Sequence, residues 1–271
     1  MMQKALKGPA LVSICIPTYN RLEYLRDLLP DVMRQVEFEK NRLIEVIVSD
    51  NCSSDGTSSY LSTIDKPFFR WWTNACNIGG DRNFLKCIRE ARGKYVWLIG
   101  DDDLLFENAV HKVCIAIQHD SPDLIIAGTG NENDAVRYAK YRDFLLEKCR
   151  MNSAAALNHT LISANVFRRD MFDAVFADKK LYTQYAHMFG LMKGLTGGVS
   201  VVSNIVRTRE VRAKFAEFPA CLCIKQSIYL FFLATRFGMP RFRFYAIKNA
   251  CNLPIEYLSR LKKFFISKMP A

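Results

Sequence analysis

Tyr95-Val-Trp-Leu-Ile-Gly-Asp-Asp-Asp103 is the stretch that decides the reading of this chain. Gly93-Lys94 opens it and Leu104-Leu105 follows it. An apolar run of this length between turn residues predicts a buried strand. Three carboxylates then crowd the end of that strand. Like charges in a row repel one another, so a positive group is expected among them, and hard oxygen ligands suit a divalent cation. A helix N-cap followed by an acidic first turn is the competing reading. One Asp satisfies that reading, and the presence of three favours the cation.

Working outward, Leu11-Val-Ser-Ile-Cys-Ile-Pro17 predicts a first strand that stops at Pro17. Leu22, Leu25, Leu28, Leu29, Val32 and Val36 recur at helical spacing over 22–36. Residues 43–49 predict a second strand, and the cluster Asp50-Asn-Cys-Ser-Ser-Asp-Gly56 is turn chemistry that leads into a short helix. Phe68–Thr73 predicts a third strand, 74–80 a loop and 82–91 a helix. The strand at 94–99 carries the acidic triplet, and a helix near 107–118 and a strand at 123–127 complete the pattern. Strands alternating with helices imply an α/β fold with a mostly parallel sheet covered by helices on both faces. Ligands of such sheets bind beyond the carboxyl ends of the strands. Pro17-Thr18-Tyr19-Asn20, Asp50 and Asp101–Asp103 all fall there. The second half is less regular. A loop with a charged helix is expected over 128–152, a strand over 159–168, a helix over 182–194 and a strand over 198–206.

With 271 residues, half of them hydrophobic, the chain has ample material for a packed core. The net charge of +11 suits an anionic surface: nucleic acid, anionic lipid or a phosphorylated substrate. The nine cysteines are odd in number and show no C-x-x-C spacing, so a reduced, cytoplasmic compartment is expected. The opening Met1-Met-Gln-Lys-Ala-Leu-Lys-Gly-Pro9 is too short and polar for a signal peptide. From Phe218 onward aromatic and apolar residues interleave with Lys225, Arg236, Arg241, Arg243, Lys248, Arg260, Lys262, Lys263 and Lys268. Ala220–Met239 is interrupted by Lys225, Gln226 and Arg236, so a membrane span is not expected there. A basic amphipathic helical tail lying on an anionic membrane face is expected instead.

Four motifs in one order resemble a known family. They are Ile16-Pro-Thr-Tyr-Asn20, Val48-Ser-Asp-Asn-Cys-Ser-Ser-Asp-Gly56, Asn77-Ile-Gly-Gly-Asp-Arg-Asn83 and Ala91-Arg-Gly-Lys-Tyr-Val-Trp-Leu-Ile-Gly-Asp-Asp-Asp103. Together they resemble the family 2 glycosyltransferases of the GT-A fold, in particular bacterial members that build lipopolysaccharide or capsule, abequosyltransferase-like enzymes included. The resemblance covers 11–127 well. It implies a GT-A domain over 1–215, with a nucleotide-sugar half at 11–127 and an acceptor half at 128–215. The basic tail at 216–271 follows it.

What the resemblance implies about chemistry agrees with the triplet. A nucleotide-sugar diphosphate calls for Mg2+ or Mn2+. The resemblance places Pro17, Thr18, Tyr19 and Asn20 around base and ribose, and Asp50 on the uracil ring N–H. Asn51, Ser53 or Ser54 would then hold the turn and leave Asp50 for the ligand. Asn77 and Arg82 are expected near the donor, the latter for its forked donors toward a diphosphate. In one register Asp101 faces the ribose and Asp102 binds the metal; in the other Asp101 and Asp103 are the working pair. Asp102 is the favoured metal ligand and Asp103 the second choice. An inverting transfer needs a general base, and 179–209 holds no carboxylate. That leaves His187, and Asp178 just upstream.

The expected partners are a UDP-sugar donor, a lipid-linked saccharide acceptor and an anionic membrane surface, with no nucleic acid. The expected location is peripheral, on the cytoplasmic face of the inner membrane. A nucleotidyltransferase of related fold is the first rival, but Pro17–Asn20 has no glycine with which to grip a triphosphate. A nucleotide-sugar-binding scaffold without catalysis is the second, on account of the missing carboxylate.

Overall fold

Seven consecutive buried residues form each of the first two strands, β1 at Val12–Thr18 and β2 at Ile44–Asp50. Burial on both faces explains why they read as largely apolar runs and not as alternating ones, with Ser13 and Glu45 as buried polar exceptions. The computed structural model describes residues 10–39, 44–127, 136–141, 143–144, 162–173, 176, 197–202 and 205–208. All of them belong to the larger of two units into which the chain divides, Met1–Lys148 with Ser153–Arg209. His187, Asp178, the helix expected at 182–194 and the tail expected at 216–271 lie outside the described residues.

β3 is Phe69–Thr73 and β4 is Tyr95–Leu98. After β5 at Asp103–Leu105 come β6 at Leu124–Ala127, β7 at Val136–Tyr138, β8 at Asn165–Arg168, β9 at Val199–Val202 and β10 at Val206–Thr208. The helices are α1 at Leu22–Phe38, α2 at Thr57–Ser62, α3 at Gly80–Glu90 and α4 at Ala109–Asp120. Eight strands make one sheet in the order β3-β2-β1-β4-β8-β6-β9-β7. The first four run parallel, as do β6 and β9, while β8 and β7 are antiparallel to their neighbours. The expected mostly parallel α/β sheet is therefore present. Leu25, Leu28, Leu29, Val32 and Val36 turn one stripe of α1 into the core, with Ile14, Ile16, Val46, Val48 and Trp97.

Three expectations of the second half need correction. A strand, β7, occupies part of the stretch expected to be loop and charged helix. It is a three-residue edge strand whose pairing with β9 comes from far along the chain, beyond the reach of local periodicity. The strand expected over 159–168 begins only at Asn165, after a 3-10 turn at Ile162–Ala164. The strand expected over 198–206 is two strands in two sheets. β9 joins the main sheet and β10 pairs antiparallel with β5. An apolar run does not report a change of partner.

At the amino ends of the strands, the Glu45 carboxylate is 1% exposed and fully engaged. It accepts from the Ser13 hydroxyl, from the Arg92 N–H at 2.6 Å, and from Nε and Nη2 of Arg70 at 3.1 and 2.9 Å. Ser13 in turn accepts from the Gly93 N–H at 2.8 Å. Gly93 lies so close to β1 that a Cβ there would stand 2.5 Å from the Ser13 nitrogen. This explains the glycine that opens the decisive stretch. The clasp fixes where β4 begins, and hence where its acidic end falls. Glu45→Ala leaves the Arg70 charge without its carboxylate in a site largely closed to water. The expected loss is about 3 kcal/mol in urea unfolding, and a loss below about 1 kcal/mol would show that the clasp does not anchor the strand ends.

Candidate active site

Parallel register brings the strand ends to one level. Thr18 pairs with Asp50, and Asp50 with Thr73. β1 and β4 pair from Val12↔Tyr95 to Cys15↔Leu98, and the Ile99 N–H continues the ladder to the Cys15 carbonyl. The ladder leads Thr18 to Asp101, where the Thr18 hydroxyl donates to Asp101 Oδ2 at 2.7 Å. Arg21, at the N-cap of α1, donates from Nη1 to Asp101 Oδ1 at 2.9 Å and to Asp102 Oδ2 at 2.7 Å. The triplet thus has an internal cation, which the sequence reading had not assigned.

The three carboxylates are not equivalent. Asp101 is 5% exposed and both its oxygens accept from protein donors. One of the two registers has it facing the ribose; in the structure its oxygens hold Thr18 and Arg21. Burial pushes its carboxyl above the ordinary range, against the pull of Arg21 and Thr18. The Asp102 side chain is the more open, at 27% exposed. Asp103 begins β5 opposite Thr208 and accepts from the Ser163 hydroxyl. The same hydroxyl accepts from the Gly100 N–H at 2.7 Å. Ser163 reaches this point because β8 lies against β4, with the Trp97 indole N–H on the Ser163 carbonyl at 2.9 Å.

None of the three Asp residues caps the next helix. α4 begins six residues later, with Asn108 as N-cap. Gln35 of α1 bridges its start, accepting from the Val110 N–H and donating to the Phe106 carbonyl. The acidic cap reading is overturned: a short strand intervenes between triplet and helix.

The second corner is held more tightly than expected. Asp50 is fully buried, and its Oδ1 accepts from the Ser53 N–H at 3.0 Å, its Oδ2 from the Thr73 hydroxyl at 3.0 Å. It therefore closes the turn itself, where Asn51, Ser53 or Ser54 had been expected to. Each oxygen keeps a lone pair for a further donor. The helix caps come instead from Asp55, which accepts from the Leu22 N–H of α1 and from the Thr57 N–H and hydroxyl of α2.

Asn20, with φ 51°, locks its loop to the next: its N–H donates to Ser53 Oγ and its amide oxygen accepts from the Ser54 N–H, both at 2.8 Å. Asn51 clamps 74–79 by accepting from Asn74 Nδ2 and the Ile78 N–H and donating to Asn77 Oδ1. Asn77 also accepts from the N–H of Gly79, whose φ of 84° with ψ of 155° suits glycine at the start of α3. Tyr19 is an exposed aromatic ring at the same edge. Arg82 is exposed in the first turn of α3 and makes no described ion pair. The structure thus gathers Pro17, Thr18, Tyr19, Asn20, Asp50, Asn51 and Asp101–Asp103 at one sheet edge, with Asn77 tied to it through Asn51. Arg21 and Ser163 join them unannounced. Arg21 stood next to a quoted motif, whereas nothing in the sequence linked Ser163 to a residue sixty positions earlier.

Among the described residues, no set of three His, Cys, Asp or Glu side chains is placed to hold a metal ion alone. Mg2+ needs only one or two carboxylates when phosphate oxygens complete its shell. Asp102 Oδ1 and Asp103 Oδ2 both lie 3.1 Å from the point a Cβ on Gly100 would occupy, so two carboxylates border a space kept clear by that glycine. The donor set and the space fit a hard cation that shares its ligands with a phosphate.

The fold itself defines the class. It matches the crystal structure of Staphylococcus aureus TarS residues 1–349 with a TM-score of 0.57 at 17% identity, covering 82% of this chain and 65% of that one. A Pyrobaculum calidifontis mannosyltransferase, solved with GDP-Man and Mn2+, matches with a TM-score of 0.54 at 15% identity, over 90% of this chain and 71% of that one. The architecture is that of a GT-A glycosyltransferase. Residues 13–176 match the family described as Glycosyl transferase family 2, and the chain belongs to that family. Abequosyltransferase RfbV of Salmonella typhimurium is 28% identical over 67% of this chain and 60% of its own length. The poly(ribitol-phosphate) beta-N-acetylglucosaminyltransferase TarS of Staphylococcus aureus is 26% identical over 65% of this chain. The chain spans less than two thirds of the length of either curated relative, 32% in the case of TarS.

Asp103 provides a stability test. Burial, and behind it the charges of Asp102 and Asp101, push its carboxyl up to about 6 despite the Ser163 hydroxyl. Between the unfolded value near 4 and this value the folded protein keeps a proton that the unfolded chain has released. This contribution to stability is present below about pH 4 and is lost as pH rises through about 6. Asp103→Asn removes it. Relative to wild type, the variant should gain on the order of 2 kcal/mol in urea unfolding between about pH 4 and about pH 8. An equal difference at both pH values would contradict the assignment.

Proposed function

We propose that this chain is a metal-dependent, inverting glycosyltransferase that moves a hexose-type sugar from a nucleoside-diphosphate donor to a hydroxyl group. UDP is the favoured carrier, and the acceptor is a lipid-linked oligosaccharide of bacterial surface-polysaccharide synthesis. The observation that carries this reading is the convergence of Asp50, Thr18 and the Asp101–Asp103 triplet at one sheet edge. Family membership and the sugar-transfer activities of RfbV and TarS support it. TarS has been solved with UDP-GlcNAc and with UDP, which supports a UDP-sugar here.

Each residue has a task that its surroundings permit. Asp50 accepts the imide N–H of the base through a lone pair its two protein donors leave open. Asp101, held by Thr18 and Arg21, keeps the β1 and β4 ends at one spacing. Asp102 and Asp103 hold the cation, Mg2+ or Mn2+, with Ser163 orienting Asp103. When bound, that cation neutralises charge on the departing diphosphate. The exposed Arg82 adds a forked donor for a phosphate. His187, or Asp178, takes the acceptor hydroxyl proton. The basic segment beyond 216 holds the protein on the anionic cytoplasmic face of the inner membrane. Among the described residues, no helix is long and apolar enough to cross a membrane.

Titration calorimetry with UDP tests the donor site. Asp102→Ala should lower UDP affinity in Mn2+ by about tenfold or more while leaving the Mn2+-free affinity within about twofold. Unchanged affinity in Mn2+ would refute the metal assignment. His187→Ala should lower turnover in a donor-hydrolysis assay and spare UDP binding; wild-type turnover would pass the role to Asp178. UDP binding with no turnover by the wild-type protein would favour the scaffold reading. A folded truncation from about residue 240 should sediment less with anionic liposomes, and undiminished sedimentation would remove the tail from that role.

A further inference from the structure

The ion pair between Arg21 and the triplet is divided between two unlike carboxylates. The two hydrogens of Nη1 serve Asp101 Oδ1 at 2.9 Å and Asp102 Oδ2 at 2.7 Å. The Asp101 contact is shielded: that side chain is 7% exposed and Thr18 holds its other oxygen. The Asp102 contact lies open to water, with the Asp102 side chain 27% and the Arg21 side chain 45% exposed. Exposed ion pairs contribute little, whereas a shielded carboxylate holds its partner firmly. The Arg21–Asp102 half is therefore the exchangeable one, and Asp101 is a pivot on which the guanidinium stays.

We propose that Arg21 is the resident counter-cation of the donor site and yields Asp102 to the divalent cation when a nucleoside diphosphate arrives, so that cation and nucleotide bind cooperatively. The proposal rests on the donor and cation assignment above. Without nucleotide, a cation that takes Asp102 Oδ1 stands beside a positive guanidinium held on Oδ2 of the same carboxylate and on Asp101, and one that takes both Asp102 oxygens also displaces a hydrogen bond of Arg21. A diphosphate relieves both penalties. Its oxygens accept from the freed Nη1 and from N–H groups of the same guanidinium that have no described partner, and they separate the two positive charges. Arg suits this exchange because it has five donors on one plane and keeps its charge throughout. The coupling is reciprocal by linkage, so cation must raise nucleotide affinity by the factor by which nucleotide raises cation affinity. Arg21 thus acts as a positioning residue for the donor phosphates, from the N-cap of α1 and directly after the loop proposed to border the base.

Mn2+ binding by the full chain tests this, measured by electron paramagnetic resonance without nucleotide and with saturating UDP. Arg21→Met and Arg21→Gln are compared with wild type, and far-UV circular dichroism checks folding. Both substitutions replace a half-exposed side chain, so either one that folds serves the test. Without UDP, the neutral variants should bind Mn2+ about tenfold more tightly than wild type. With UDP, the factor by which nucleotide strengthens Mn2+ binding should fall by about tenfold. Nucleotide-free Mn2+ affinity that stays unchanged, or weakens, on removal of Arg21 would overturn the exchange while leaving the metal site standing. Failure of wild type and variants alike to bind Mn2+ in the presence of UDP would overturn the cation assignment, and the proposal with it.

Discussion

Asp101 is taken out of water at the carboxyl end of β4, and the chain around it is arranged to compensate. A buried carboxylate needs hydrogen bonds and a counter-charge. Thr18 supplies the first from the end of β1 and Arg21 the second from the start of α1. Because both partners lie on the segment that leaves β1, satisfying Asp101 also fixes the path of Thr18–Arg21 over the sheet edge. That path places Asn20 where it meets Ser53 and Ser54, and Leu22 where Asp55 caps it. One buried charge thereby organises the loops after β1, β2 and β4 into a single rim.

The opposite end of the sheet makes this possible. The Glu45 clasp with Ser13, Arg70, Arg92 and Gly93 sets the relative register of β1, β2, β3 and β4 at their amino ends. Parallel strands transmit that register to their carboxyl ends, where Thr18, Asp50 and Thr73 line up. A slip of one residue would turn Thr18 to the other face and leave Asp101 without its donor. The site's electrostatics thus depend on packing at the opposite ends of the same strands.

The triplet divides its labour because its three members face different solvents. Asp101 is structural by burial, Asp102 is open to water, and Asp103 is held by Ser163 from the 3-10 turn just before β8. The proposed nucleotide-diphosphate site would use this mixture, rigid groups to position the donor and an exposed carboxylate to take up a new partner.

Much of this was legible in the sequence. Largely apolar runs at 11–17, 43–49 and 94–99 announced doubly buried parallel strands, and the polar clusters after them announced the polar edge of the sheet. Burial on both faces writes itself as composition, and strand ends write themselves as turn residues. The unequal roles of Asp101, Asp102 and Asp103 were anticipated only in part. The first proved to be held by Thr18 and Arg21, because its surroundings are set by residues eighty positions away. The sequence also missed β5, the division of 198–206 between two sheets and the arrival of Ser163 beside Asp103. These depend on which strands pair, a matter of long-range hydrogen bonds that no local pattern records. Residue types and their order determined the family, the fold and the acidic edge of this protein. Only tertiary structure decided which carboxylate is buried, which is open to water and which cation pairs with them, because burial and distance exist only once the strands are assembled.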